Sequence, residues 1–108
     1  MSTKKNKEFS KSSFLMNLAY LQARKSLGNT GINPPVGCVI ISKEDELITL
    51  GRTGKNGIPH AEINAIKSYK KKLKNSNLYV TIEPCTHYGR TPPCVNSIIK
   101  KNIKKVFY

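Results

Sequence analysis

EPCTHYGRTPPC, residues 83–94, holds two of the three cysteines of this 108-residue chain, Cys85 and Cys94. A histidine, a glycine and an arginine lie between them, and three prolines punctuate the stretch. Three uses compete for such a pair: a disulfide, a structural metal clip, or one wall of a catalytic site. The N-terminal MSTKKNKEFSKSS is basic and polar with no apolar run behind it, so no secretory leader is expected and the setting reads as cytoplasmic. Under reducing conditions paired thiols more often bind metal than each other.

The rest of the chain supplies partners for the two thiols. VGCVIIS (36–42) is a continuous apolar, β-branched run, the pattern of a strand buried on both faces. LITLG (47–51) reads as its hairpin partner, NLYVTI (77–82) as a third strand and KVFY (105–108) as a fourth. A helix is expected from a cap at Ser12 or Ser13, with Phe14, Leu15, Leu18, Leu21 and Leu27 as its apolar residues and Gly28 ending it. Pro59 suits the first position of a second helix whose buried face is Ile63, Ile66 and Tyr69. Thr91 followed by Pro92 suits the start of a third, continued by Val95, Ile98 and Ile99. The order α-β-β-α-β-α-β specifies an α/β protein, a mixed sheet flanked by helices. Residues 1–11 are expected as a mobile basic tail ahead of a single domain, 12–108. A final strand with no sequel suggests that the sheet lacks its last strand or strands.

A net charge of +13 raises the question of nucleic acid. Of the 19 basic residues, 16 are lysine and three arginine, in a chain also rich in asparagine and isoleucine. All three abundant residues use A/T-rich codons, and phosphate-binding surfaces favour arginine forks. A nucleic-acid role is therefore set aside, although the same field suits a phosphorylated small substrate. No apolar stretch approaches a membrane span.

Two expected helix starts carry chemistry: PHAE (59–62) and TPPC (91–94), with Cys85 directly after the third strand. His60, Cys85 and Cys94 offer one imidazole and two thiolates. Three protein ligands leave the fourth tetrahedral position of zinc open to water, the arrangement of a catalytic site. A helix N-terminus favours the thiolate form of Cys94. Residues two apart on a helix do not share a face, so spacing alone does not bring Glu62 to His60. At a first turn, however, both can flank a metal lying off the helix end, where Glu62 would carry a proton from the attacking water to the leaving amine.

NPPVGCVI, PHAE and EPCTHYGRTPPC, three motifs in this order across residues 13–108, closely resemble the deaminase half of the bacterial riboflavin-biosynthesis deaminase/reductases. That group lies within the cytidine-deaminase-like superfamily, whose usual second motif is P-C-x-x-C. The longer spacing between the cysteines, ending in GRTPPC, is characteristic of the riboflavin group. The resemblance implies a cytidine-deaminase-like layered fold, one zinc ion per chain on His60, Cys85 and Cys94, and Glu62 as the catalytic proton carrier. It implies hydrolytic deamination of 2,5-diamino-6-(5-phosphoribosylamino)pyrimidin-4(3H)-one to 5-amino-6-(5-phosphoribosylamino)uracil. Asn33, His87 and Arg90 fall where substrate contacts are expected. A homo-oligomer is implied as well, with a reductase domain in cis or in trans and NADPH required only if that domain follows. The family often has a histidine seven residues before the zinc histidine; this chain has Thr53.

Other readings remain open at this point. The same zinc chemistry serves cytidine, deoxycytidylate or a tRNA adenosine, and a closed zinc site would make an RNA-binding module. Cys38, inside the first strand, reads as a core residue. Glu83, beside Pro84, reads as a group that ties down backbone donors. Tyr88 has no assignable role.

Overall fold

The computed structural model describes residues 4–86, 89 and 91–108, and of residues 4–10 only the backbone. The elements are α1 (Lys4–Lys25), β1 (Gly37–Ile41), β2 (Leu47–Arg52), α2 (Ala61–Ser68), β3 (Asn77–Val80), α3 (Cys94–Lys100) and β4 (Lys105–Phe107). A short 3₁₀ turn, Lys55–Gly57, precedes α2. The sheet order is β2-β1-β3-β4. β1 runs antiparallel to both neighbours, and β3 and β4 are parallel, so the sheet is mixed as expected.

β1 decides the layering. All five of its residues are buried, and their side chains alternate between two cores. Cys38 and Ile40 pack with Ala61, Ala65, Ile66, Leu78, Val80 and Ile98. Val39 and Ile41 pack with Leu15, Ala19 and Tyr79. Helices α2 and α3 thus cover one face and α1 the other, a three-layer sandwich.

Glycines set how closely the helices approach. A Cβ on Gly37 would overlap the Ala19 carbonyl oxygen and lie 2.5 Å from Ala23 N. One on Gly51 would overlap the Ala61 carbonyl oxygen and lie 2.7 Å from Ala65 N. With backbones in contact, the facing positions are alanines. The buried stripe of α1 is therefore Leu15, Ala19 and Ala23, whereas Phe14, Leu21 and Leu27 of the expected apolar set are exposed. α2 likewise buries Ala61, Glu62, Ala65 and Ile66, leaving Ile63 only half-buried.

The helix starts differ from expectation. α1 begins at Lys4, so the expected Ser12–Ser13 cap lies within the helix and most of the segment read as a tail is helical. α2 begins at Ala61, because the Pro59 carbonyl accepts Gly54 N at 2.9 Å and Asn64 Nδ2 at 3.3 Å instead of starting the helix. The His60 carbonyl takes the first helical bond, from Asn64 N at 3.0 Å. α3 begins at Cys94 with Pro93 as its cap residue, not Thr91. Pro93 disfavours helical backbone at the residue before it, so Pro92 cannot open the helix.

Gly28 ends the α1 region in a left-handed conformation, φ 83°. No helix among the described residues is long and apolar enough to cross a membrane.

Candidate active site

The site lies where the carboxyl end of β3 meets the amino ends of α2 and α3. His60 is the cap residue of α2, with extended backbone (φ −65°, ψ 158°) and no capping hydrogen bond, so its ring is free for other work. Cys94 is the first residue of α3. Cys85 lies in the loop after β3, tied to α3 by the hydrogen bond from Val95 N to its carbonyl at 3.3 Å.

The three side chains converge. His60 Nδ1 is 3.2 Å from Cys94 Sγ and 3.7 Å from Cys85 Sγ. Cys94 N donates to Cys85 Sγ at 3.1 Å. The ligand atoms of the three residues all lie within 4.8 Å of one another. Tetrahedral zinc with ordinary Zn–S and Zn–N bonds separates a nitrogen from a sulfur ligand by about 3.6 Å, so the trio fits zinc. Electrostatics agrees. Burial, the Glu62 carboxylate and Cys85 push the Cys94 thiol well above its usual range, a crowd that a divalent cation reverses.

Glu62 is 4% exposed. Burial raises its carboxyl above the usual range, and its own backbone N–H and His60 oppose the rise. Because His60 stands at the cap instead of on the helix, the two-residue spacing does not separate them. Both line one cavity of ≈ 390 Å³ with Asn33, Thr53, Glu83 and Cys85. Val36, Ile82 and Pro84 supply its apolar wall.

The remaining candidates divide. Asn33 lines the cavity and also braces it, donating from Nδ2 to Gly57 O at 3.1 Å. Cys38 is fully buried in the core and is not one of the converging trio. Burial, then the Glu62 charge, raises its thiol far above the usual range, as befits an inert core residue. His87, Tyr88 and Arg90 lie outside the described residues.

Glu83 departs from expectation: it is exposed on the cavity wall. It lies close to Tyr108, whose hydroxyl pKa is raised by the Glu83 carboxylate. No local sequence signal pairs residues 25 apart; only the parallel register of β3 and β4 brings them together. Thr53 is buried and structural as well as cavity-lining. Its hydroxyl accepts Val36 N at 2.8 Å, and its carbonyl accepts the Ser26 hydroxyl at 2.7 Å.

Residues 9–108 match the family described as the cytidine and deoxycytidylate deaminase zinc-binding region. The chain belongs to this family. The riboflavin biosynthesis protein RibD of Aquifex aeolicus is 50% identical over 91 residues, covering 84% of this chain and 25% of that protein. A diaminohydroxyphosphoribosylamino-pyrimidine deaminase of Buchnera aphidicola is 42% identical over 96 residues, covering 89% of this chain and 65% of the relative. The crystal structure of a deaminase/5-amino-6-(5-phosphoribosylamino)uracil reductase from Thermotoga maritima superposes with a TM-score of 0.83 at 40% identity, covering 90% of this chain and 28% of that one. The chain thus spans about a quarter of the length of several relatives it matches. The resemblance to the riboflavin-group deaminases and the layered cytidine-deaminase-like fold are both borne out.

Proposed function

We propose that this domain, residues 12–108, hydrolytically deaminates 2,5-diamino-6-(5-phosphoribosylamino)pyrimidin-4(3H)-one, releasing ammonia and 5-amino-6-(5-phosphoribosylamino)uracil in riboflavin biosynthesis. The observation that carries the chemistry is the convergence of His60, Cys85 and Cys94 beside buried Glu62 in one cavity. The names of the relatives in Buchnera and Thermotoga support the substrate.

His60, Cys85 and Cys94 would hold one zinc ion. When bound, the metal lowers the pKa of water to about 7, supplying a nucleophile at neutral pH. Glu62 accepts a proton from the attacking water and passes it to the ring nitrogen. It then serves the departing amine, so that water and amidine become carbonyl and ammonia. Glu62 suits this shuttle by position: it is buried at the first turn of α2 and lines the cavity beside His60. Asn33 contacts the base, and His87 and Arg90 the ribose phosphate. The domain works as a cytoplasmic homo-oligomer with a reductase domain in cis or in trans, and NADPH enters only with that domain.

The test is ammonia release from the ribotide and from cytidine and deoxycytidylate, with zinc-loaded protein. Turnover of the ribotide above both cytidine and deoxycytidylate supports the reading, and preference for either of those overturns it.

A further inference from the structure

The cavity beside the ligand trio is rich in acceptors. Its lining among the described residues includes two carboxylates, Glu62 and Glu83, and no lysine or arginine. Asn33 uses one amide N–H on the Gly57 carbonyl, which leaves its second N–H to donate and Oδ1 to accept. A phosphorylated ligand is already an anion, so a second carboxylate repels it unless that carboxylate receives hydrogen bonds in return.

Glu83 is held in place from two sides. It precedes buried Pro84, which restricts the Glu83 backbone to extended conformations, and Pro84 leads directly into Cys85. On the other side, β4 runs parallel to β3 with Phe107 opposite Tyr79. Those two rings stack at 4.6 Å and 12°. The stack fixes the end of β4 beside the end of β3, and sets the next residue, Tyr108, near enough to Glu83 for the carboxylate to raise the phenol's pKa. Because a carboxylate has about four acceptor sites, one phenol leaves the rest for a ligand.

We propose that Glu83 is a specificity-determining substrate contact: its carboxylate accepts hydrogen bonds from N–H groups of the base other than the departing amine, with Tyr108 as its positioning residue. The inference rests on the ribotide reading above. The diaminopyrimidinone carries a ring N–H, a second amine and an exocyclic N–H to the ribose, whereas the cytosine base carries only the amine that leaves. Glu83 therefore rewards the first and leaves a carboxylate unsatisfied against the second, the asymmetry that gives polar sites their discrimination.

The experiment measures binding in a Glu62→Ala background, where turnover does not complicate affinity. Zinc-loaded Glu62→Ala protein is titrated calorimetrically with the diaminopyrimidine ribotide and, separately, with ribose 5-phosphate, which has no base. Adding Glu83→Ala is expected to weaken the ribotide about tenfold or more, the scale of a hydrogen bond to a charged group. Glu83→Gln, which keeps one acceptor oxygen, is expected to lose less. Ribose 5-phosphate affinity stays the same or improves. With Glu62 intact, Tyr108→Phe is expected to raise KM for the ribotide with kcat nearly unchanged. Unchanged ribotide affinity in both Glu83 variants, or equal weakening of ribose 5-phosphate, overturns the proposal while leaving the deaminase reading intact. Failure of the Glu62→Ala protein to bind the ribotide at all overturns the substrate reading, and the proposal with it.

Discussion

Replacing Glu62 by glutamine or alanine isolates the proton chemistry from the metal. Glu62 is 4% exposed at the first turn of α2, so bulk water has little access to the atom it serves. One group handles proton uptake from water, delivery to the ring and departure of the amine. General acid–base catalysis by a single side chain is worth about 10²–10⁴-fold, and a residue serving successive transfers belongs at the upper end. A loss of about 10⁴-fold in kcat corresponds to about 5.5 kcal/mol of barrier. Glu83 is a poor substitute, being exposed on the cavity wall. The assay is ammonia release coupled to an enzymatic readout, alongside zinc content and a thermal melt. Zinc is expected to stay at one per chain and the melt close to wild type, since His60, Cys85 and Cys94 are untouched. Turnover within about tenfold of wild type, at equal zinc content, would refute the role of Glu62.

Other perturbations separate packing, core hydrogen bonding and metal binding. Gly51→Ala drives a methyl into the Ala61 carbonyl oxygen and Ala65 N; it should cost about 1–3 kcal/mol, seen as a lowered melting temperature, and lower kcat by shifting the turn that holds His60 and Glu62. Thr53→Val removes the acceptor for Val36 N, and a buried unpaired N–H costs about 1–3 kcal/mol in urea unfolding. Cys38→Ala should cost only about 1 kcal/mol while retaining one zinc and wild-type ammonia release; loss of zinc would make Cys38 a ligand. Stripping zinc with a chelator should abolish turnover, and stoichiometric zinc should restore it.

How much of this was legible in the sequence follows the range of the interactions. β1 was readable because an apolar, β-branched run buried on both faces needs no outside information. The ligand types were readable because imidazole, thiolate and carboxylate near helix starts have few other uses in combination. The helix faces were legible only in part: Leu15, Leu18, Ile66 and Tyr69 do pack on the sheet, but glycines on the neighbouring strands bring alanines of α1 and α2 against it while Phe14, Leu21 and Leu27 stay exposed. α3 starts at Cys94, later than the Thr91–Pro92 pattern suggests, because the restraint comes from the second proline, not the first. The surroundings of Glu83 are not legible locally, because Tyr108 comes to it from the far edge of the sheet through β4. Thr53 stood out only as a departure from the family pattern; its bonds to Val36 and Ser26 needed the fold.

The most direct test of the central claim is product analysis of the diaminopyrimidine ribotide incubated with zinc-loaded protein in oxygen-18 water. One ammonia is expected per uracil ribotide formed, with the new carbonyl oxygen drawn from the labelled water. Unchanged ribotide, or a product that carries no label from the solvent, would contradict it.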